Sequence, residues 1–338
     1  PVAAVWKGKK NLLVIAHGPL GRLPFSLLPT KPAGLKSDVK PLFAGYRNVP
    51  WLARSHAVTM LPSVASLRTL RRLPKGAETR TAFVGFADPW FSQPQTSVEN
   101  SKPEKTTKVA KLTNRGITTR GLPVKLRAAP TTIGLDSAEL AQLPRLPETA
   151  EELQSIAEAL NADPVSAVFT GEAANEGRVK SMNLSGTKVI AFATHGLVPG
   201  DLNGLTQPAL ALSAPRSADD KEDGLLTMGE ILGLRLNADW IVLSACNTAS
   251  GDGAGAEAAS GLGRAFFYAG ARALLVSNWP VETTSAKELT TELFHSQAAE
   301  PGLGRAEALR RSMVAMIDDG GFINSEGKIV FSYAHPIF

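Results

Sequence analysis

The chain has one cysteine, Cys246, and five histidines. Cys246 ends an apolar run, Trp240-Ile241-Val242-Leu243, in the small-residue turn Ser244-Ala245-Cys246-Asn247-Thr248. That pattern predicts a thiol just past the carboxyl end of a strand, where open parallel sheets build their sites. Gly251-Asp252-Gly253-Ala254-Gly255 follows as an open, flexible stretch, so the thiol need not be a core residue. His195 holds the same kind of position 51 residues earlier, where apolar Val189–Ala193 breaks into Thr194-His195-Gly196. A free thiol with a pKa of ~8.5 is only a few per cent thiolate at neutral pH. An imidazole within reach accepts its proton and later returns it to a leaving amine. Gly196 permits close backbone approach, and the amides of Gly196 and Cys246 can converge on a developing oxyanion. The chemistry expected of this pair is nucleophilic attack on a peptide carbonyl.

Other chemistries lack their residues. A single Cys excludes a disulfide framework and any multi-cysteine zinc or iron–sulfur site. The remaining histidines, His17, His56, His295 and His335, have no metal-ligand spacing, so no metal is expected. His17 is the rival base, but it has no cysteine in its own half and reads as a structural relic. Gly253–Ala258 matches G-x-G-x-x-A but starts several residues past the strand end, and no G-x-x-x-x-G-K-[ST] occurs. No apolar run approaches the ~20 residues of a membrane helix. The net charge of +5 suggests a nucleic-acid partner only at first sight: residues 99–129 carry +6, leaving −1 for the rest. That stretch has no aromatics to stack on bases, so a solvated basic insert is the better reading and nucleic acid is not expected as a direct ligand.

The elements that must position the pair read as α/β with a largely parallel sheet. Strands are predicted at Leu12–Ala16, Ala57–Leu61, Thr81–Phe86, Lys188–Ala193, Trp240–Ser244 and Ala273–Ser277, without the polar alternation of one-sided strands. Helices are predicted at Ser63–Leu73 with Ser63 as N-cap, Glu148–Leu160, Ala256–Ala269, Thr283–Gln297 and Arg305–Ile317. A length of 338 residues suggests two domains. The stretch from about 92 to 132 follows neither period and is expected to be a mobile, basic insert. It divides the chain into residues 1–140 and 141–338. Leu13-Val14-Ile15-Ala16-His17-Gly18 echoes Ile190-Ala191-Phe192-Ala193-Thr194-His195-Gly196, as if two related units followed one another. The lone cysteine, and the lack of a secretory signal before Pro1, lead us to expect a piece of a longer cytoplasmic chain.

Ala193-Thr194-His195-Gly196, Asp223–Ile231, Leu243–Thr248, Gly263-Arg264-Ala265-Phe266 and Ser277-Asn278-Trp279-Pro280-Val281 together resemble the CHAT domain. Leu20–Phe25 and Leu146–Glu151 add weaker likeness. CHAT domains are caspase-like and separase-like cysteine peptidases, commonly fused to tetratricopeptide repeats. The 51-residue His-to-Cys separation is also close to the ~50 residues of caspases. The resemblance implies a caspase-like, mostly parallel sheet sandwiched by helices, with an inactive first half supporting an active second half. It implies a His195–Cys246 dyad acting on protein substrates without a metal or organic cofactor, governed by a partner or by fused repeats, and no membrane role. A non-catalytic interaction module on the same fold is the alternative. One departure is His17-Gly18, where the family usually has Asp-Gly. In the separase-like branch, acidic residues after Trp-x-Val help hold a basic side chain. Here that implies a substrate pocket involving Trp279 and Glu282, with Asp201, Asp223, Asp252 and Glu257 on loops that could reach it. No arginine is firmly placed to receive an aspartate, since Arg264 falls at helical spacing. Gly200–Asn203 and Gly251–Gly255 are expected to move, and in a resting state His195 and Cys246 should stand beyond hydrogen-bond reach, ~3.2 Å.

Overall fold

The computed structural model describes residues 6, 8–35, 39–74, 76–92, 137–202, 204–215, 222–244, 254–279 and 281–338. Apart from Ser92, the basic stretch expected to be an insert lies outside these residues, as do Cys246 and Asp252. The chain divides into two compact units, each discontinuous in sequence. One comprises residues 1–77, 155–162 and 281–338, the other 78–154 and 163–280. In the sheet of the second unit, a strand from residues before 140 is hydrogen-bonded to strands from residues after it.

In the first unit, β1 (Asn11–Val14) pairs in parallel with β2 (Ala57–Met60). Helix α1 (Val64–Arg72) follows, and its Ser63 cap accepts the Ser66 amide at 3.1 Å, as the sequence predicts. The strand that carries the first His-Gly ends before it, leaving His17 exposed at the head of a 3-10 turn, Gly18–Arg22.

The second unit holds the main sheet, whose five strands run parallel. They are β3 (Thr81–Ala87), β4 (Val168–Thr170), β5 (Thr187–Ala193), β9 (Trp240–Leu243) and β10 (Leu274–Val276), in the spatial order β10-β9-β5-β3-β4. The three central strands are buried along nearly their whole length, which is why their sequences are continuous apolar runs. Register places Phe86 beside both Phe169 and Phe192. Their rings stack at 5.5 and 5.3 Å between centroids, and Phe192 meets Phe266 at 5.7 Å. Such ring pairs contribute about 0.5–1.5 kcal/mol each beyond the area they bury. This row ties the sheet to the long helix that carries Phe266, Ala254–Ala269.

Three short strands missed by the sequence reading form a separate antiparallel patch. They are β6 (Gly196–Leu197), β7 (Ala209–Ala211) and β8 (Leu225–Thr227), paired in that order. Since β6 begins three residues after β5 ends, Thr194 and His195 occupy the corner where the chain leaves the parallel sheet. Helices α2 (Glu148–Ala159), α3 (Glu176–Ser181), α4 (Met228–Gly233) and α5 (Ala254–Ala269) complete the elements used below.

The first unit closes with α6 (Thr283–Ala299), α7 (Arg305–Asp318) and the hairpin β11–β12 (Gly321–Ile323, Ile329–Ser332). An ion pair from Arg54 to Asp318, at 2.7 Å, ties its early and late segments together. Among the described residues no helix is long and apolar enough to cross a membrane.

Candidate active site

His195 is fully buried at the carboxyl edge of the central strand β5. Its own main chain is held on two sides: the Ala211 amide donates to the His195 carbonyl at 2.9 Å, and the Thr194 hydroxyl donates to the Ala211 carbonyl at 2.5 Å. Antiparallel pairs alternate between bonded and outward-facing main-chain groups. With residue 195 bonded to 211, Gly196 opposite Leu210 falls on the outward-facing pair, so its N–H turns away from β7.

The imidazole is oriented by a contact that sequence spacing does not reveal. His195 Nε2 lies 2.8 Å from the Pro144 carbonyl oxygen. A carbonyl only accepts, so Nε2 carries the hydrogen and the lone pair of the neutral ring sits on Nδ1. Phe91 packs against the ring with centroids 5.5 Å apart. On the neighbouring strand β9, the Ser244 amide donates to the Phe192 carbonyl at 2.9 Å, so the chain leaves β9 alongside the end of β5.

Beside His195, the end of β3 presents a second group of polar residues. Asp88 has φ 44°, a left-handed conformation that Asp tolerates better than most residues. Its carboxylate is nearly buried and receives Arg145 Nε at 3.1 Å and Nη2 at 2.5 Å, a two-pronged pair. The Leu146 backbone also bonds this carboxylate, while the Asp88 amide donates to Thr149 Oγ1 at 2.9 Å. Burial outweighs these partners and holds the Asp88 carboxyl above the ordinary range. The Arg145 guanidinium lies over the Trp90 ring, 5.5 Å from its centroid. Trp90 in turn rests on Gly171, whose φ is +52° and where a Cβ would come within 2.7 Å of the indole, so only glycine fits.

A third group holds the Asp223-Gly224 turn that precedes β8. Glu176 on α3 accepts both the Asp223 and Gly224 amides, each at 3.2 Å. Gly224 has φ +83°, and a Cβ there would come within 2.7 Å of Leu140. Lys180 donates to Glu176 at 2.8 Å, Glu222 at 2.8 Å and Glu230 at 3.0 Å. These three carboxylates converge within 4.8 Å, and the ammonium occupies the point they share. Burial pushes Glu176 up to about 8. Burial also acts upward on Glu230, but hydrogen bonds with Glu176, Thr227 and Lys180 bring it down to about 2. Glu230 completes a capping box with Thr227 at the start of α4.

Each described carboxylate of the expected pocket has a partner within its own turn or helix. Glu282 is buried and accepts the Ser285 amide at 2.8 Å as the N-cap of α6, in the first unit. Asp201 accepts the Val198 amide at 2.8 Å and closes its own turn, and burial raises its carboxyl. Asp223 is exposed and accepts the Leu225 amide at 2.9 Å. Trp279 is half-buried in the bend after β10, and Arg264 is exposed on α5. The side chain of Glu257, like Asp252 and Cys246, lies outside the described residues, and with it the His195–Cys246 separation. Of the two expected moving loops, Gly200–Leu202 is a hydrogen-bonded turn, with Gly200 donating to Leu205 and Asp201 to Val198.

A family model, that of the CHAT domain, matches residues 1–326. The chain belongs to the CHAT domain family. This caspase-like family is related to cysteine peptidases, and the mixed α/β fold with its mostly parallel sheet is compatible with that relationship. The CHAT chain is also 28% identical over 201 residues to Tetratricopeptide repeat protein 28 of Mus musculus. That alignment covers 50% of this chain and 8% of the relative, so the chain spans a small fraction of the length of the curated relative it matches.

Proposed function

We propose that this CHAT domain is a cysteine endopeptidase in which Cys246 is the nucleophile and His195 the general base and acid. The observation that carries the reading is the orientation of His195, held by the Pro144 carbonyl at the sheet edge beside the end of β9. The Cys246 thiolate adds to the scissile carbonyl carbon, and the Gly196 and Cys246 amides stabilise the oxyanion. Collapse breaks the C–N bond as the imidazolium protonates the leaving amine, and water then hydrolyses the thioester. The outward-turned Gly196 amide supports its part in this scheme. Likeness to a tetratricopeptide repeat protein supports control by such a region; a cytoplasmic setting and weak activity of the domain alone belong to the same proposal.

The test compares cleaved protein termini in cells expressing the protein with and without Cys246→Ala. Termini that vanish in a folded variant are expected; an unchanged set overturns the peptidase reading. A Cys246 unreactive toward thiol electrophiles, with or without a partner, would leave an interaction module in its place.

The residue before the cleaved bond is expected to be neutral or basic, and not Asp. Arg145, which directly follows the Pro144 that contacts His195, is already paired with Asp88. An aspartate entering beside it would be a buried charge without its own cation, at a cost of several kcal/mol. Peptide-library profiling checks this, and cleavage mainly after Asp refutes it while leaving the dyad standing.

A further inference from the structure

Asp88 and Arg145 are 57 residues apart in sequence, and neither belongs to the dyad. Their pairing nevertheless bears on it, because Arg145 directly follows Pro144, whose carbonyl orients His195. The Asp88 carboxylate gathers three donors from two adjacent residues, Arg145 Nε, Arg145 Nη2 and the Leu146 backbone. Thr149 Oγ1 closes the loop from below, accepting the Asp88 amide and donating to the Leu146 carbonyl at 2.6 Å. Asp88 is anchored independently of this segment, since its carbonyl accepts the Gly171 amide at 3.1 Å beyond β4. A neutral peptide carbonyl in a loop has no reason to stay aimed at one ring nitrogen. Here the peptide that follows it is clamped to a strand end by a two-pronged, charge-assisted pair, stronger and more directional than a neutral hydrogen bond.

We propose that Asp88 and Arg145 are a positioning pair for the general base: by immobilising residues 144–146 they keep the Pro144 carbonyl on His195 Nε2. The hydrogen is thereby confined to Nε2, and Nδ1 is kept as the proton-accepting nitrogen. Without the pair, the neutral ring distributes its hydrogen between both nitrogens, and a base holding its hydrogen on the wrong nitrogen cannot accept from a thiol. This rests on reading His195 as the base, but its readout does not require catalysis.

The experiment is a ring-nitrogen NMR measurement on the full chain labelled with ¹⁵N-histidine, in a Cys246→Ala background so that no thiolate charges the ring. The chain's five histidines are assigned by substituting them singly. The parent should show the Nε2–H tautomer at His195. Asp88→Asn keeps the side chain's shape and its tolerance of positive φ, and should give a mixed tautomer signature, as should Arg145→Met. Arg145→Lys, which keeps the charge and leaves a single prong, should recover most of the parent signature. It also serves as the folded comparison if Arg145→Met is unstable. With Cys246 restored, kcat should fall by about 10²-fold in Asp88→Asn with KM little changed, the loss expected of a misplaced catalytic group. An Nδ1–H tautomer in the parent overturns the proposal, and so does an unchanged signature in folded Asp88→Asn and Arg145→Met. A correct signature in a chain that cleaves nothing would instead count against the peptidase reading alone.

Discussion

His195→Ala is expected to slow alkylation of Cys246 at neutral pH and to lower peptide cleavage by about 10²–10⁴-fold. In the mechanism proposed above, the imidazole of the active chain takes the thiol proton, so thiolate would be available well below the ordinary cysteine pKa of ~8.5. Removing the ring returns the thiol to that value, and its reactivity should then climb steeply between pH 7 and 9. Because Cys246 is the chain's one cysteine, iodoacetamide uptake reports on this position alone and needs no substrate. His195→Gln separates geometry from proton transfer. Its amide can still donate to the Pro144 carbonyl, as Nε2 does at 2.8 Å, but it cannot accept a proton at neutral pH. Both variants should therefore show the same alkaline shift. Identical pH profiles in a parent that is cleaving protein and in His195→Ala under the same conditions would remove His195 from the mechanism.

The parts of this site legible in the sequence are those set by strand ends. β3, β5 and β9 are buried on both faces, so their apolar runs stand out, and the residues that follow β5 and β9 mark the candidate dyad. The Ser63 cap and the long helices were equally plain. Short elements were not: β4, β6, β7 and β8 have two or three residues each, too few for any period to register. The contacts that orient His195 are tertiary. Pro144 and His195, like Asp88 and Arg145, are more than fifty residues apart, and nothing local marks either pair. Glu282 shows the opposite case. Glu282-Thr283-Thr284-Ser285 carries a local capping signal, an acidic side chain three residues before an amide it can accept. The likeness to a pocket-lining residue comes from its place after Trp279-Pro280-Val281, and the capping role is the one its local sequence marks.

Lys180→Met is expected to destabilise the domain by about 2–4 kcal/mol near pH 8, and the loss should shrink on acidification. Removing one partner of a fully buried ion pair costs about 3–5 kcal/mol, because the other charge is left without compensation. Here Glu176 is buried but Lys180, Glu222 and Glu230 are each about one-third exposed, at 35%, 33% and 31%, so water offsets part of the cost. What remains are three carboxylates within 4.8 Å. The pH dependence follows from Glu176, whose folded pKa of about 8 lies above its ordinary value. The folded chain therefore binds that proton more tightly than the unfolded one, and its contribution is complete below about pH 4.5 and lost as pH rises through 8. Without the ammonium, Glu222 and Glu230 keep the hydrogen bonds with Glu176 and, for Glu230, Thr227 that lower them, but lose the further lowering by Lys180, so both move upward. The deficit against the parent should thus be largest above pH 8 and smallest near pH 5, above the range where protonation of Glu230 weakens the parent itself. Urea denaturation at pH 5, 7 and 9 measures it, with Lys180→Arg, which keeps the charge, expected to lie close to the parent. A deficit that is flat with pH, or that grows on acidification, would mean that Lys180 stabilises the Asp223-Gly224 turn through packing of its stem and not through its charge.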